Sequence, residues 1–166
     1  MIQPQQLTDR IVATATDFVG LVERAENAHW DDPRTPFRDV DKDVWLRTWM
    51  GKISGWEPGA PYCVAFDGAV IAASLHQLGA PVEKFLSNWT AHVMTNVRHL
   101  RAMGLLSSSP SRGGVWLARH GDSDSGHAGI VVDVHGSMIV TIEGNTSAGP
   151  TSDPEQQRQG EGIWMR

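Results

Sequence analysis

The stretch "GHAGIVVDVHGSMIVTIEGN", residues 126–145, alternates between two classes of residue and constrains the fold more than any other segment. Its even positions on both sides of a central turn are apolar or glycine: Ala128, Ile130, Val132, Val134, Met138, Val140, Ile142 and Gly144. Strict alternation is typical of strands with one apolar face. Since both strands must place their even positions on that face, we predict a hairpin closed by an odd loop, residues 135–137.

The odd positions of this hairpin include five polar side chains: His127, Asp133, Thr141, Glu143 and Asn145. The predicted register puts His127 opposite Asn145 and places Glu143 one diagonal step away. Directly opposed residues lie roughly 5 Å apart and diagonal ones about 7–8 Å apart, so the three groups are expected to converge. Asp133 shares this face but lies further along the strand, where we expect it to be solvated.

Helical patterns precede the hairpin. Apolar spacing and capping residues predict helices over residues 8–28, 39–50, 63–78 and 87–104. After the loop "SSSPSRGG", strand composition predicts strands over 115–119, 127–134, 138–144 and 162–166. We therefore predict one α+β domain spanning residues 1–166, with a helical lead-in over 1–54, a cysteine-bearing helix over 63–78 and a sheet region over 114–166.

Cys63 is the only cysteine of the 166 residues, and it begins the most apolar predicted helix. Composition alone leaves a buried filler, a metal ligand, an intermolecular link or a nucleophile. A helix N-terminus next to an imidazolium favours a thiolate, and a histidine in that role needs an acceptor on its second nitrogen. His127 with Glu143 or Asn145 fits this requirement, and the first N–H groups of the helix could bind an oxyanion.

Charge and composition exclude several classes of function. The chain has 14 Lys and Arg against 19 Asp and Glu, and its net charge of −5 argues against a nucleic-acid partner. No apolar run is long enough to span a membrane, and the first twenty residues lack the pattern of a secretory signal, so we expect synthesis in the cytoplasm. One cysteine and dispersed histidines do not make a zinc site, and no metal or cofactor is expected.

Three blocks of the sequence resemble a known family. The segments "GAPYCVAF", "GHAGIVV" and "TIEGNTS" are similar, in that order, to the signature blocks of the CHAP domain, the cysteine, histidine-dependent amidohydrolase/peptidase family of the papain-like NlpC/P60 superfamily. The resemblance covers residues 55–166. It implies a papain-like fold with the cysteine helix packed on an antiparallel sheet, and hydrolysis of amide bonds in bacterial peptidoglycan. It also implies Cys63 as nucleophile, His127 as general base and acid, Glu143 as orienting acceptor, and Asn145 as a further polar partner.

The sequence departs from the family pattern in two places. Tyr62 stands where many members have glutamine before the cysteine, and it is expected either to supply a hydroxyl or to shape the cleft. Gly113-Gly114 stands where the family has Gly-Asp, which changes loop chemistry only. Trp56, in the loop before Cys63, and Trp116, in the strand before His127, are further candidates for cleft walls.

The sequence therefore predicts a cysteine-dependent peptidoglycan hydrolase, an amidase or endopeptidase that forms a thioester acyl-enzyme. Two alternatives stay open: a papain-like amidase or protease on a non-wall substrate, and a catalytically inactive module that binds wall fragments or builds an assembly. The expected partner is peptidoglycan or its peptides, reached after lysis, from a phage particle or by dedicated secretion. The sequence does not identify an inhibitor or an export partner.

Overall fold

The computed structural model describes residues 2–24, 29–31, 40–147 and 162–166. Its helices are α1 (Pro4–Thr16), α2 (Val40–Met50), α3 (Cys63–Gln77), α4 (Glu83–Leu86) and α5 (Val93–Ala102). Its strands are β1 (Val22–Arg24), β2 (His29–Asp31), β3 (Val115–Arg119), β4 (Gly126–His135), β5 (Met138–Thr146) and β6 (Gly162–Met165). These residues therefore form an α+β structure, as predicted.

One six-stranded antiparallel sheet runs in the order β2-β1-β6-β5-β4-β3. The lead-in over residues 1–54 was predicted to be helical, and this is wrong for β1 and β2, which extend the sheet beyond β6. The predicted helix over 8–28 begins earlier, at Pro4, and ends at Thr16. Predictions that fall on residues 25–28, 32–39 and 148–161 lie outside the described residues.

Helix α3 is the buried centre of the fold. Its apolar sequence predicts burial on most sides, and the buried residues run almost without a break from Cys63 to Ser74. Gly68 is essential to this packing because a Cβ atom there would lie 2.5 Å from the ring of Trp89. The indole Nε1 of Trp89 donates a hydrogen bond of 3.0 Å to the carbonyl oxygen of Val64. These contacts fix the first half of α3 against the segment between α4 and α5.

Helix α2 is tied to the sheet through a buried carboxylate. Asp43 is fully buried and accepts a hydrogen bond of 3.0 Å from the backbone N–H of Trp30 in β2. The guanidinium of Arg47, one turn further along α2, lies 3.2 Å from the same carboxylate. Trp30 itself is fully buried, so this bond anchors the strand at one end of the sheet.

The β4–β5 hairpin reaches the predicted register by a different route. His135 pairs with Met138, so the turn is the two residues Gly136-Ser137, and the predicted three-residue loop is wrong. A β-bulge at Val132 then supplies the extra residue, because Val131 pairs with Thr141 and Asp133 pairs with Val140. Beyond the bulge the Val131–Thr141 and Ile130–Ile142 pairs belong to the register that was predicted, but the predicted pair of His127 with Asn145 is not among the observed pairs.

Candidate active site

Cys63 begins α3 and is almost buried, with 7% of its surface exposed. The residue before it, Tyr62, occupies the cap position but forms no side-chain cap hydrogen bond. Helix N-termini carry backbone N–H groups without partners inside the helix and a partial positive charge. The sulfur of Cys63 therefore lies where negative charge is stabilised.

His127 lies near the start of β4 and links Cys63 to a carboxylate. Its Nε2 atom is 3.0 Å from Oε2 of Glu143. Since Glu143 occupies Nε2, Nδ1 is the ring nitrogen left for the interaction with Cys63. Burial lowers the pKa of His127, but the bonds and charges of Cys63 and Glu143 outweigh burial and raise that pKa to about 10. The imidazole is therefore protonated at neutral pH, with an acidic group on each side.

Glu143 is a buried carboxylate with two hydrogen-bond partners. Its Oε2 atom faces His127, and its Oε1 atom accepts a hydrogen bond of 2.6 Å from the hydroxyl of Thr141. Burial raises the pKa of Glu143, but the hydrogen bonds from His127 and Thr141 and the charge of Arg166 outweigh it, so the pKa lies below its ordinary value. Glu143 is therefore an anion that holds the imidazole ring in place.

Asn145, the fourth predicted site residue, lies two positions further along β5. It is buried and has φ 55°, so β5 turns through a left-handed residue immediately after Gly144. The Nε2 atom of His127 is bonded to Glu143, which leaves Asn145 no role as the acceptor for that nitrogen. The structure brings Cys63, His127 and Glu143 together, and Asn145 lies next to them along the strand.

The three aromatic candidates have different surroundings. Tyr62 is fully buried and packs edge to face on Trp30 at 5.3 Å, and Trp56 is also buried against Trp30. The prediction that Tyr62 and Trp56 face substrate is therefore wrong, because both side chains belong to the core. Trp116 packs edge to face on the His127 ring, with 5.6 Å between centroids, and stays partly exposed. It remains a candidate cleft wall.

Sequence reasoning missed three residues that adjoin this site. Thr141 orients Glu143, and its position two residues before Glu143 on the same strand was the available signal. Gly129 leaves room for Glu143 and Trp116, because a Cβ atom there would lie 2.7 Å from Cγ of one and 2.7 Å from Nε1 of the other. Asp67 follows Cys63 by one helical turn and is fully buried. The sequence feature that could have identified Asp67 is a carboxylate in an otherwise apolar helix.

A separate cavity of about 980 Å³ lies between the helices and the sheet. Apolar side chains of α5 and the loop after it line one part of it, together with Trp116 and its neighbours in β3. Its walls include Trp116 but none of Cys63, His127 and Glu143. Trp116 therefore lines the cavity and also contacts the His127 ring.

No protein-family model matches the chain. No match was found among the curated proteins or among the solved structures. Within the described ranges, no helix has the length and apolar character needed to cross a membrane.

Proposed function

We propose that this protein is a cysteine-dependent hydrolase of amide bonds and that its substrate is peptidoglycan. The observation that supports the reaction class is the row formed by Cys63, His127 and Glu143, with the cysteine at a helix N-terminus. We further propose that the helix and the antiparallel sheet form a papain-like fold, in which such a row is built between these two elements.

The proposed reaction uses the protonated His127 and the helix N-terminus beside Cys63. The Cys63 thiolate attacks the carbonyl carbon and forms a C–S bond, while the oxygen takes up negative charge near the N–H groups that begin α3. His127 then gives its proton to the leaving amine as the C–N bond breaks. Neutral His127 next takes a proton from water, the resulting hydroxide attacks the thioester, and the thiolate is released.

Glu143 and Thr141 support both half-reactions without contacting substrate. The short Thr141 bond and the His127 bond together hold both carboxylate oxygens. A fixed, ionised Glu143 keeps the ring tautomer with Nδ1 toward the sulfur and stabilises the imidazolium. Because the pair is largely buried, its interaction is screened weakly by solvent.

The choice of peptidoglycan as substrate depends on the sequence resemblance to CHAP domains. The cleaved bond is proposed to be the sugar-to-peptide amide or one within the stem or cross-bridge peptide. Access to the wall after lysis, from a phage particle or through dedicated secretion belongs to the same proposal.

Digestion of a panel of purified peptidoglycans, with products assigned by mass spectrometry, tests the proposal. The wild type should release fragments with new amino and carboxyl ends, whereas Cys63→Ala and His127→Ala should release none. His135→Ala is the matched control, because His135 lies on the same hairpin but is exposed at its tip. Its activity should equal that of the wild type.

Two other outcomes would replace the proposed substrate or the proposed class. Cleavage of non-wall peptides without cleavage of any peptidoglycan would indicate an amidase or protease of the same mechanism. If no amide substrate is cleaved and Cys63 reacts with an alkylating agent no faster than in the unfolded chain, the protein is a binding or structural module.

A further inference from the structure

Asp67 is a buried carboxyl group that the proposed reaction does not use. It follows Cys63 by four residues on α3, a spacing that places two side chains on the same face of a helix. None of its surface is exposed, and within the described part of the chain neither carboxyl oxygen has a hydrogen-bond partner. A buried polar group without a partner is costly, so its presence beside the site requires an explanation.

The surroundings of Asp67 oppose a negative charge. The titratable groups that influence its charge are His127 on β4 and Glu143 on β5, and Cys63 lies one turn earlier on its own helix. Burial is the main influence on the pKa of Asp67; the His127 imidazolium counteracts it and the Glu143 carboxylate adds to it, and the pKa lies well above its ordinary value. An ionised Asp67 would place a second carboxylate next to Glu143 in a medium that screens charge poorly.

We propose that Asp67 is an uncharged carboxylic acid in the folded protein and that it is a positioning residue for the Cys63–His127–Glu143 row. In this form it presents a dipole to the His127–Glu143 ion pair from the helix side without adding charge. The residue thereby gives the buried row a polar neighbour without placing a second negative charge beside Glu143. The catalytic importance of this role depends on the proposed function, whereas the protonation state of Asp67 does not.

The pH dependence of folding tests the protonation state directly. If Asp67 is neutral when folded but ionised when unfolded, the folded wild type holds one more proton at any pH between the ordinary value of 3.8 and the raised value. The unfolding constant of the wild type, divided by that of Asp67→Asn, should therefore rise about tenfold per pH unit in that interval. A ratio that stays constant with pH would show that Asp67 is ionised in the folded state and would overturn the proposal.

The reactivity of Cys63 toward an alkylating agent at mildly acidic pH tests the positioning role. Asp67→Asn keeps a neutral polar group of the same shape and should keep the rate within about twofold, whereas Asp67→Leu removes the dipole and should lower the rate about tenfold. Equal rates for the Asn and Leu variants would show a merely structural role. Ser74→Ala is the control, since Ser74 is a buried polar residue of α3 two turns further from Cys63.

These measurements separate this proposal from the proposed function. Neither unfolding nor alkylation requires a substrate, so a protein that cleaves no peptidoglycan can still show both expected effects. If Asp67→Leu does not fold, the unfolding comparison between wild type and Asp67→Asn still decides the protonation state. Asp67→Ala then replaces Asp67→Leu in the alkylation test, and a rate equal to that of Asp67→Asn would contradict the positioning role.

Discussion

Gly129 lies against the side chain of Glu143, so closely that a Cβ atom at residue 129 would be 2.7 Å from Cγ of Glu143. The same atom would lie 2.7 Å from Nε1 of Trp116, which itself packs on His127. A single methyl group at this position would therefore press on two neighbours of the imidazole ring. The glycine is required here for space, since its backbone does not have positive φ.

We expect Gly129→Ala to displace Glu143 and to lower the alkylation rate of Cys63 about tenfold, because the reactivity of a cysteine depends on the charged groups beside it. Alkylation kinetics and the melting temperature should be measured together. Gly121→Ala is the control, because its added Cβ meets no atom within 4 Å, although its φ is +54°. That variant should lose some stability but no Cys63 reactivity. Equal reactivity of Gly129→Ala and the wild type would contradict the packing argument.

Thr141→Val should leave one oxygen of a buried carboxylate without its donor. The expected cost is about 1–3 kcal/mol in the free energy of unfolding, since the lost bond of 2.6 Å involves a charged acceptor. Thr141→Ser retains the hydroxyl and should lose much less. Urea titration of the three proteins measures the difference. Equal losses for Val and Ser would indicate that the methyl group of Thr141, rather than its hydroxyl, matters.

Glu143→Gln should lower the pKa of His127 from its value of about 10, because the negatively charged partner of the imidazolium is replaced by a neutral amide. The ring resonances of His127, followed by NMR across the alkaline range, report this pKa. Asp133→Asn is the matched control: Asp133 pairs with His135 at 3.1 Å on the exposed end of the same hairpin. It should leave the His127 titration unchanged. An unchanged titration in Glu143→Gln would mean that Glu143 does not determine the charge of the ring.

His127 should stabilise the fold less as the pH rises. Its pKa is raised from 6.5 to about 10 on folding, so its contribution is fully present below pH 6.5 and is lost as the pH rises toward about 10. The stability advantage over His127→Gln should therefore shrink across this interval. Both proteins should carry Asp67→Asn, so that titration of Asp67 does not overlap. Urea unfolding at several pH values measures this difference in stability. An advantage that grew with pH would contradict the raised pKa of His127.

The sequence predicted the elements whose pattern is strong and local. Helix α3 was found to within one residue at its end because its apolar run is long and Gly79 closes it. Strand β3 was found with its observed bounds, Val115–Arg119, because turn-forming residues flank it. The convergence of His127 and Glu143 was predicted from alternation in β4 and β5, which depends only on the strand period.

The errors arose where tertiary contacts override a local pattern. The apolar spacing of α1 continues through Phe18, yet Gly20 adopts φ 93° and directs the chain into β1, where Val22 pairs with Gly162 of β6. The predicted helix over 87–104 begins only at Val93, because Trp89 lies in the preceding turn and the buried Asn96 side chain bonds Thr90. Such partners are distant or three-dimensional, and periodicity does not reveal them.

The errors at the site, two residues wrongly assigned to the cleft and one overlooked, have a related cause. Tyr62 and Trp56 were assigned to the cleft from their sequence positions near Cys63, but Trp30, which is far from both in the chain, covers them in the core. Asp67 was passed over because the sequence does not show whether its carboxylate lies on a buried or an exposed face of the helix. Burial of a titratable group is visible only once the sheet is placed against the helix.

The bulge at Val132 divides the β4–β5 hairpin into two parts that differ in register. His127 and Glu143 belong to the part beyond the bulge, whereas Gly136 and Ser137 form the turn at the opposite end. The turn is exposed, so its residues contribute little to the packing of the core. Insertion of a short epitope or a fluorophore-labelling tag between Gly136 and Ser137 would therefore provide a handle for purification or imaging that leaves the row of polar groups intact.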